Sequence, residues 1–331
     1  MIEIIKSATL LPPEWDELAG GNFALNKNNL MLLEKVNPCD QSYVIFRNST
    51  MESIFVSYKL KLNILCYSVF NFYLQVVIIG IPCSVSECGY SFSMNNREEI
   101  KKYLKSLKGG KLILNSAGDV DFLDFSKGFT LPTCKMDIPW NSFDQYMAEL
   151  RSHYRYRYKK AMGKSKNLLV EKLEDKTNFT SRLYHLYEEV YNKSEYKLEK
   201  LPIDFFKRSD AHIITLKYEK EPIAFVQYTV VKETLVFLFG GLEYDLNEKY
   251  DLYLNMLLLI IRVAIENNCT TLNLGQTAEE IKCKLGAFQE EKYLYIHHSN
   301  PIIHSLIAIS SKVFSYKMKR FKFMVLKGEN N

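Results

Sequence analysis

The sequence predicts an α/β fold of two lobes, each a mixed β-sheet flanked by helices, and three observations predict it. At 331 residues the chain exceeds what one ordinary core holds, so one large domain or two lobes is expected. A long helical pattern from Ser142 to Met162 then divides it: Phe143, Tyr146, Met147, Leu150, Tyr154, Tyr158 and Ala161 recur at three- and four-residue steps, which builds one apolar face. Finally, the two sides share an order of elements. On the first, an apolar strand ends at Gly80, a loop and helix follow, and a strand closes with LILNSAG; on the second, a strand ends at Gly240-Gly241, a loop and helix follow, and a strand closes with LNLGQTA. That order points to two copies of one fold, residues 1–140 and 141–331, with helix 142–162 as the link.

The first lobe opens with a strand at Ile2–Ile5 and a helix started by Pro12-Pro13 around Trp15. Runs rich in β-branched and aromatic residues predict strands near Tyr43–Phe46, Ile54–Tyr58, Leu62–Tyr67 and Leu74–Ile79. Arg97–Leu107 has helical spacing and stops at Gly109-Gly110, before a strand at Lys111–Leu114. After the dividing helix come a strand at Leu168–Lys172, a helix at Phe179–Tyr191, and strands at Ile213–Tyr218, Ile223–Val231 and Leu235–Phe239. A buried helix, Tyr250–Glu266, leads to strand Thr271–Leu274, helix Ala278–Leu285, strand Lys292–His297, a last helix and the basic tail SYKMKRFKF.

Composition narrows the class. With 47% hydrophobic and 24% charged residues the chain is globular rather than disordered. Its 22 Tyr and 20 Phe serve cores and ligand grooves alike. Cysteines at 39, 66, 83, 88, 134, 269 and 283 are odd in number and form no CxxC pair. They fit neither a disulfide framework nor a zinc site but free thiols in a reducing cytosol, so a cytoplasmic protein without bound metal is expected. The N-terminal MIEIIKSATLLPPEW lacks the basic start and apolar run of a signal peptide. Cys66–Ile81 is shorter than the ~20 residues of a span and holds Asn71 and Gln75, and Leu254–Ile261 holds Asn255 and is closed by Arg262. Both are expected in the core, and no membrane span is expected.

GxSxG, GxxxxGK[ST], HExxH and a helix-opening GxGxxG are all missing. His297-His298 sits in a strand, where neighbours point to opposite faces and do not readily share a metal. The informative segment is TTLNLGQTAEEIKCKLGAF, Thr270–Phe288. A strand runs through a Gly275-Gln276-Thr277 turn into a helix, exposing amides suited to an anion or a carbonyl oxygen. Lys282 and Lys284 offer cationic heads to a phosphate or a developing oxyanion. A purely structural account of the same residues makes Thr277 an N-cap, Gly286 a C-cap and both lysines solvated, and local physics favours that account. Cys283 lies too deep in the helix to attract attention as a nucleophile.

Two weaker constellations remain. Arg151, Arg155, Arg157, Lys159, Lys160, Lys164, Lys166 and Lys172 face the single acid Glu171, a local charge of +7 in a chain of +5. This is either a solvated helix face or a surface for tRNA or another phosphorylated ligand; with Tyr154 and Tyr158 on the apolar face, only Tyr156 is free to stack on a base. In the loop Asn192–Leu201, Glu195 or Glu199 could serve as a general base on an amine.

Taken together, the Pro222-Ile223-Ala224-Phe225 strand, FLFGGLEYD, the apolar helix after Tyr250 and LNLGQTAEEIKCKLGA resemble the FemAB-like branch of the GNAT superfamily of acyltransferases. GIPCSVSECGY and LPTCKMDIPWNSFDQYMAELRSHYRYRYKKA are similar to the region where such proteins pass from lobe one to lobe two. The resemblance implies two tandem GNAT-like lobes and N-acyl or aminoacyl transfer from an activated donor to an amine of a small molecule, peptide or cell-wall precursor. With that chemistry in view, Lys282, Gln276 and Thr277 are taken as the catalytic group, and Gly240, Gly241, Tyr244, Tyr253, Gly275, Arg155 and Lys159 for donor or substrate. No tightly bound cofactor is implied; acyl-CoA or aminoacyl-tRNA is the co-substrate. One departure stands out: the [QR]xxGx[GA] pyrophosphate loop of acyl-CoA-binding members is replaced by LEYDLNEKYDLYLN. That leaves room for an aminoacyl-tRNA donor. The alternative is a GNAT-like protein without chemistry that holds RNA or another polyanion on its basic helix.

Overall fold

The computed structural model describes residues 1–48, 51–63, 73–83, 86–116, 118, 124–309 and 315–328. Cys66 and the end of the strand expected at Leu62–Tyr67 lie outside the described residues. In chain order the elements are β1 (Ile2–Ile5), α1 (Glu14–Ala19), α2 (Lys27–Val36), β2 (Ser42–Arg47), β3 (Met51–Asn63), β4 (Tyr73–Ile79), β5 (Tyr90–Ser91), α3 (Arg97–Ser106), β6 (Gly110–Ser116) and β7 (Ser126–Phe129). There follow β8 (Thr133–Asp137), α4 (Phe143–Glu149), α5 (Ser152–Lys164), β9 (Leu169–Lys172), α6 (Ser181–Lys193), α7 (Ile203–Arg208), β10 (His212–Tyr218), β11 (Glu221–Val231) and β12 (Thr234–Leu242). The chain continues through α8 (Tyr244–Tyr250), α9 (Leu252–Glu266), β13 (Thr271–Asn273), α10 (Glu279–Cys283), β14 (Phe288–Glu290), β15 (Tyr293–His298) and α11 (Pro301–Ile309).

Two compact units result. The first comprises Met1–Pro132, Leu198–Phe205 and Glu291–Lys319, and the second Thr133–Lys197, Phe206–Glu290 and Arg320–Asn331. Each holds one mixed sheet. The first unit's runs β1-β2-β3-β4-β6-β15-β7, with β5 also on β3; the second's runs β9-β10-β11-β12-β13-β8-β14. Position by position the directions agree: a four-strand antiparallel meander, one parallel pair (β4–β6 or β12–β13), then two antiparallel pairs. The parallel pair requires a crossover, which α3 supplies in one unit and α9 in the other. The chain is therefore an α/β protein of two units, each built on one mixed sheet of the same strand order.

The sixth strand of each sheet comes from the other part of the sequence. β15 pairs with β6 and β7, whereas β8 pairs with β13 and β14. Strand hydrogen bonding thus carries Glu291–Lys319 into the first unit, although these residues fall within 141–331.

The helix expected over Ser142–Met162 is two helices. Leu150 and Arg151 are extended (ψ 141° and 149°). Leu150 bridges to Leu326, and Arg151 N donates to Val325 O at 2.9 Å. The apolar periodicity runs straight through this point, but backbone pairing with the C-terminal segment wins. The strands expected at Ile54–Tyr58 and from Leu62 belong to the single strand β3. In the second unit α9 buries eleven of its fifteen residues. Its one buried amide, Asn255, reaches the carbonyls of Ala161, Tyr250 and Asp251 at 2.8–3.1 Å, so the polar residue is satisfied rather than exposed.

Candidate functional site

In the second unit the parallel pair separates. β12 and β13 are in register only over Thr234–Val236 and Thr271–Asn273, yet β12 continues along β11 as far as Leu242. The register of β12 with β13 ends at Val236. Leu238 falls out of register with β11, a bulge that re-aims the strand where it parts from its neighbour. β13 meanwhile turns toward β8: Leu274 N donates to Cys134 O at 2.8 Å and Cys134 N to Gly275 O at 2.9 Å.

The Gly275–Ala278 turn starts beside this parting. A Cβ on Gly275 would stand 3.7 Å from the Phe237 carbonyl, and Asn273 Oδ1 accepts from Gly275 N at 2.8 Å. Three residues of the turn are left-handed: Gly275 (φ 71°), Thr277 (φ 64°) and Ala278 (φ 46°). For β-branched Thr277 and for Ala278 that conformation costs about 1–3 kcal/mol each. The expected N-cap role of Thr277 is not seen, because Ala278 occupies the cap position and no side chain caps it. Thr277 is exposed and Gln276 half-buried; Gly286, just past the helix, is left-handed at φ 103°.

Helix α10 is pinned at both ends. Tyr146 Oη donates to the Leu285 carbonyl at 3.0 Å and Tyr158 Oη to that of Lys284, satisfying two of the orphan acceptors at a helix end. Toward the other end, Lys282 is only 2% exposed and its Nζ donates to the Gln276 carbonyl at 2.8 Å. The lysine thus runs back along its own helix to the turn. Burial pushes its pKa down to about 8, opposed by the nearby Cys134, Glu279 and Cys283. Lys284 differs: its Nζ pairs with Glu280 at 2.5 Å on the half-exposed side.

Around Lys282 the titratable groups form a chain. Cys134 and Cys283 share a thiol hydrogen bond, which raises Cys134 and lowers Cys283. Tyr253 is raised by burial and by the neighbouring Cys134 and Tyr244. Tyr244 is raised by burial and by Glu189, and Lys193 Nζ stands 3.6 Å over its ring. Tyr244, Tyr253 and Lys282 are therefore linked through Cys134. Cys134 and the buried Glu279 were missed in the sequence. Cys134 reaches the cluster through long-range strand pairing, and Glu279 looks like an ordinary acid at a helix start.

Gly240 and Gly241 act as packing glycines. A Cβ on Gly241 would stand 2.4 Å from Phe225 Cε1 and 2.7 Å from the Leu186 and Tyr187 backbone, and one on Gly240 2.7 Å from Met256 Cε. They let α6 and α9 approach β12. On α5, Arg155 Nη1 donates to the carbonyls of Ala148 and Leu150 at 3.1 and 3.4 Å, capping α4. Lys159 and Tyr156 are exposed, Tyr156 at 72%. Of the proposed bases, Glu195 is exposed, while Glu199 belongs to the first unit, buried, accepting from Tyr58 Oη at 2.6 Å.

The segment Glu243–Asp251 leads from β12 through α8 to α9 and holds Glu243, Asp245, Glu248 and Asp251 with Lys249. Glu243 pairs with Arg182 at 2.7 Å, and Asp251, at the N-cap of α9, pairs with Lys164 at 3.0 Å. Among the described residues no group of three or more His, Cys, Asp or Glu could hold a metal ion, and no helix is long and apolar enough to cross a membrane.

The part of the chain that holds the parting parallel pair and the buried α9 matches a known domain: residues 148–283 match the model of the acetyltransferase (GNAT) domain. No curated protein sequence matches. Among solved structures the fold is similar to FemX (TM-score 0.51, 12% identity, 80% of this chain and 90% of that one). It is also similar to the C-terminal domain of a protein described as a lysylphosphatidylglycerol synthetase from Agrobacterium fabrum (0.55, 9%, 96% and 98%). A third is L-PGS from Bacillus licheniformis (0.50, 13%, 84% and 94%). These likenesses show the fold.

Proposed function

We propose that the second unit transfers an acyl or aminoacyl group from an activated donor to an amine. The observation that carries this reading is the parting of β12 from β13 at Phe237 inside the GNAT-matching segment. There β12 presents a strand edge able to hydrogen-bond an extended acyl donor. The amine, neutral when it attacks, adds to the donor carbonyl, and the developing oxyanion needs preorganised donors. Backbone amides of β12 up to Gly240 and Gly241, those of the Gly275-Gln276-Thr277 turn, and Lys282 are the groups assigned to it. The tetrahedral adduct then collapses and expels the donor's thiol or ribose hydroxyl, which takes up the proton that the amine loses. Tyr244 and Tyr253 would line the acceptor side.

The acidic Glu243–Asp251 segment favours a donor not anchored by a pyrophosphate at α9. Aminoacyl-tRNA meets that condition, with Lys159 and its exposed neighbours on α5 as the phosphate contact. The acceptor is read as a small-molecule, peptide or cell-wall-precursor amine, and the lobe division near residue 140 belongs to the same proposal. Those same exposed residues, Tyr156 among them, support the second reading, a GNAT-like protein that holds RNA or another polyanion without chemistry.

The test is a transfer assay with acyl-CoA and aminoacyl-tRNA donors, comparing the parent with Lys282→Ala, Lys282→Met and Lys284→Ala. Per folded molecule, both Lys282 variants should lose ~10²-fold in kcat/KM, the scale of one lost oxyanion contact, and Lys284→Ala should lose little. Full activity in Lys282→Met, which keeps the packed volume, would refute the assignment. Binding of RNA without turnover of any donor would favour the second reading.

A further inference from the structure

Helix α11 reads PIIHSLIAI and carries no Asp, Glu, Lys or Arg. Ile302, Ile303, Leu306 and Ile309 are 72%, 42%, 61% and 82% exposed. Their spacing places them on one stripe, and a contiguous exposed apolar stripe marks an interaction surface. The other side is the anchor: the His304 ring lies 4.5 Å from that of His297, and its Nε2 meets the Asp124 carbonyl at 2.9 Å.

The surroundings, all in the first unit, carry an excess of positive charge: α3 sets Arg97, Lys101, Lys102 and Lys105 against Glu98 and Glu99, and the Asp124 carboxylate takes up Lys101 and Lys105 at 2.6 Å each. Gly109 N donates to Ser299 Oγ at 2.9 Å and Ser299 N to Gly109 O at 3.1 Å. The turn that carries Lys108 therefore abuts the start of α11, and Lys102 and Lys108 are exposed. His297, beneath the helix, is pushed down to about 4 by burial and then by Lys111, His304, Lys105 and His298.

We propose that α11 docks on an anionic membrane surface, its apolar stripe in the headgroup boundary and Lys102 and Lys108 against lipid phosphates. Interfacial helices bind through buried apolar area together with attraction to anionic lipid, and both parts are present here. A second copy of the chain is the less suitable occupant, because a two-fold contact would set one cationic surround against its twin. The inference does not depend on the transfer chemistry.

The experiment is flotation of the full chain with phosphatidylglycerol–phosphatidylcholine vesicles and with pure phosphatidylcholine vesicles, at low and high salt. Binding should be about tenfold or more tighter on the anionic vesicles and should weaken with salt. The triple variant Ile302→Gln, Leu306→Gln, Ile309→Gln should lose about tenfold or more. The pair Lys102→Gln, Lys108→Gln should lose several-fold and flatten the salt dependence. All these positions are exposed, so melting temperatures should stay at the parent value. Equal binding to both vesicles, or unaltered binding by the triple variant, overturns the proposal. So does light scattering that finds a dimer which the triple variant converts to monomer.

Discussion

The parallel pair of the first unit and that of the second begin alike and end differently. β4 stays in register with β6 over Val77–Ile79 and then stops. At Gly80 the chain leaves β3, and Gly89–Ser91 takes over its edge: Val56 N donates to Gly89 O at 2.8 Å, and β5 pairs onward with Phe55 and Ile54. β12 has no such interruption and runs unbroken past the end of its ladder with β13. One copy of the fold has its strand cut and continued by another segment, whereas the other keeps a continuous strand past the end of its parallel ladder. Under the proposed function that continuous strand is the one an extended donor would pair with, so the contrast bears on the second unit.

The largest expected effect tests that contrast through its tightest glycines. A Cβ on Gly89 would stand 2.4 Å from the Cα and C of Gly80, and one on Gly241 2.7 Å from the α6 backbone. Backbone cannot swing aside as a flexible side chain does, so Gly89→Ala and Gly241→Ala should each lose ~3 kcal/mol or more in urea unfolding. They should part in function. At a temperature where both remain folded, Gly89→Ala should keep transfer activity per folded molecule, and Gly241→Ala, which lifts α6 from β12, should lose it. Equal losses would break the comparison.

A second pair of residues sharpens it. Each unit buries a lysine. Lys111 Nζ donates at 2.5 Å to the Leu107 carbonyl, the C-cap of α3, while Lys282 holds a carbonyl of the Gly275–Ala278 turn. Burial lowers both pKa values, Lys282 to about 8. A lysine lowered in the folded state binds its proton more tightly when unfolded, so stability rises with pH between the folded value and the ordinary lysine value of 10.5. For Lys282 the gain from pH 8 to 10.5 comes to about 3 kcal/mol. Urea midpoints across that range should climb in the parent and stay nearly level in Lys282→Met, with Lys111→Met removing a change of the same sign. A parent curve without the climb would mean that Lys282 is solvated.

The shared strand order was legible because it rests on local signals: β-branched runs, glycine stops and the order of elements. The exchange of the sixth strand was not, since Thr133–Asp137 and Tyr293–His298 look alike as strands and only long-range pairing chooses their sheets. The break at Leu150 was hidden for the same reason, its cause lying at Val325 and Leu326. Lys282 was legible as a cationic head on the helix after the turn but not as a buried one. Lysine is a surface residue by default, and its enclosure depends on Cys134, which is remote in sequence. The strain at Thr277 and Ala278 left no mark either, because neither residue is one that favours a left-handed conformation.

The smallest effect concerns the basic helix. Arg155 and Lys159 belong to the same +7 stretch, yet Arg155 caps α4 through two carbonyls while Lys159 is exposed. Arg155→Glu should therefore lower both polyanion affinity and stability, the latter by about 1 kcal/mol, the worth of a lost helix-end hydrogen bond. That variant mixes two causes, and Lys159→Glu isolates the electrostatic one. It should leave the melting temperature unchanged, weaken binding of tRNA modestly at low salt, and reduce the slope of log affinity against log salt by about 1. Lys35→Glu, an exposed change on the first unit's α2, is the matched control and should leave the tRNA slope as it is. If Lys159→Glu binds tRNA with the parent's affinity and slope, α5 is a solvated face, and the aminoacyl-tRNA donor loses its proposed contact. If Lys35→Glu matches Lys159→Glu, the attraction belongs to the chain's overall positive charge, and the contrast between the units does not extend to RNA.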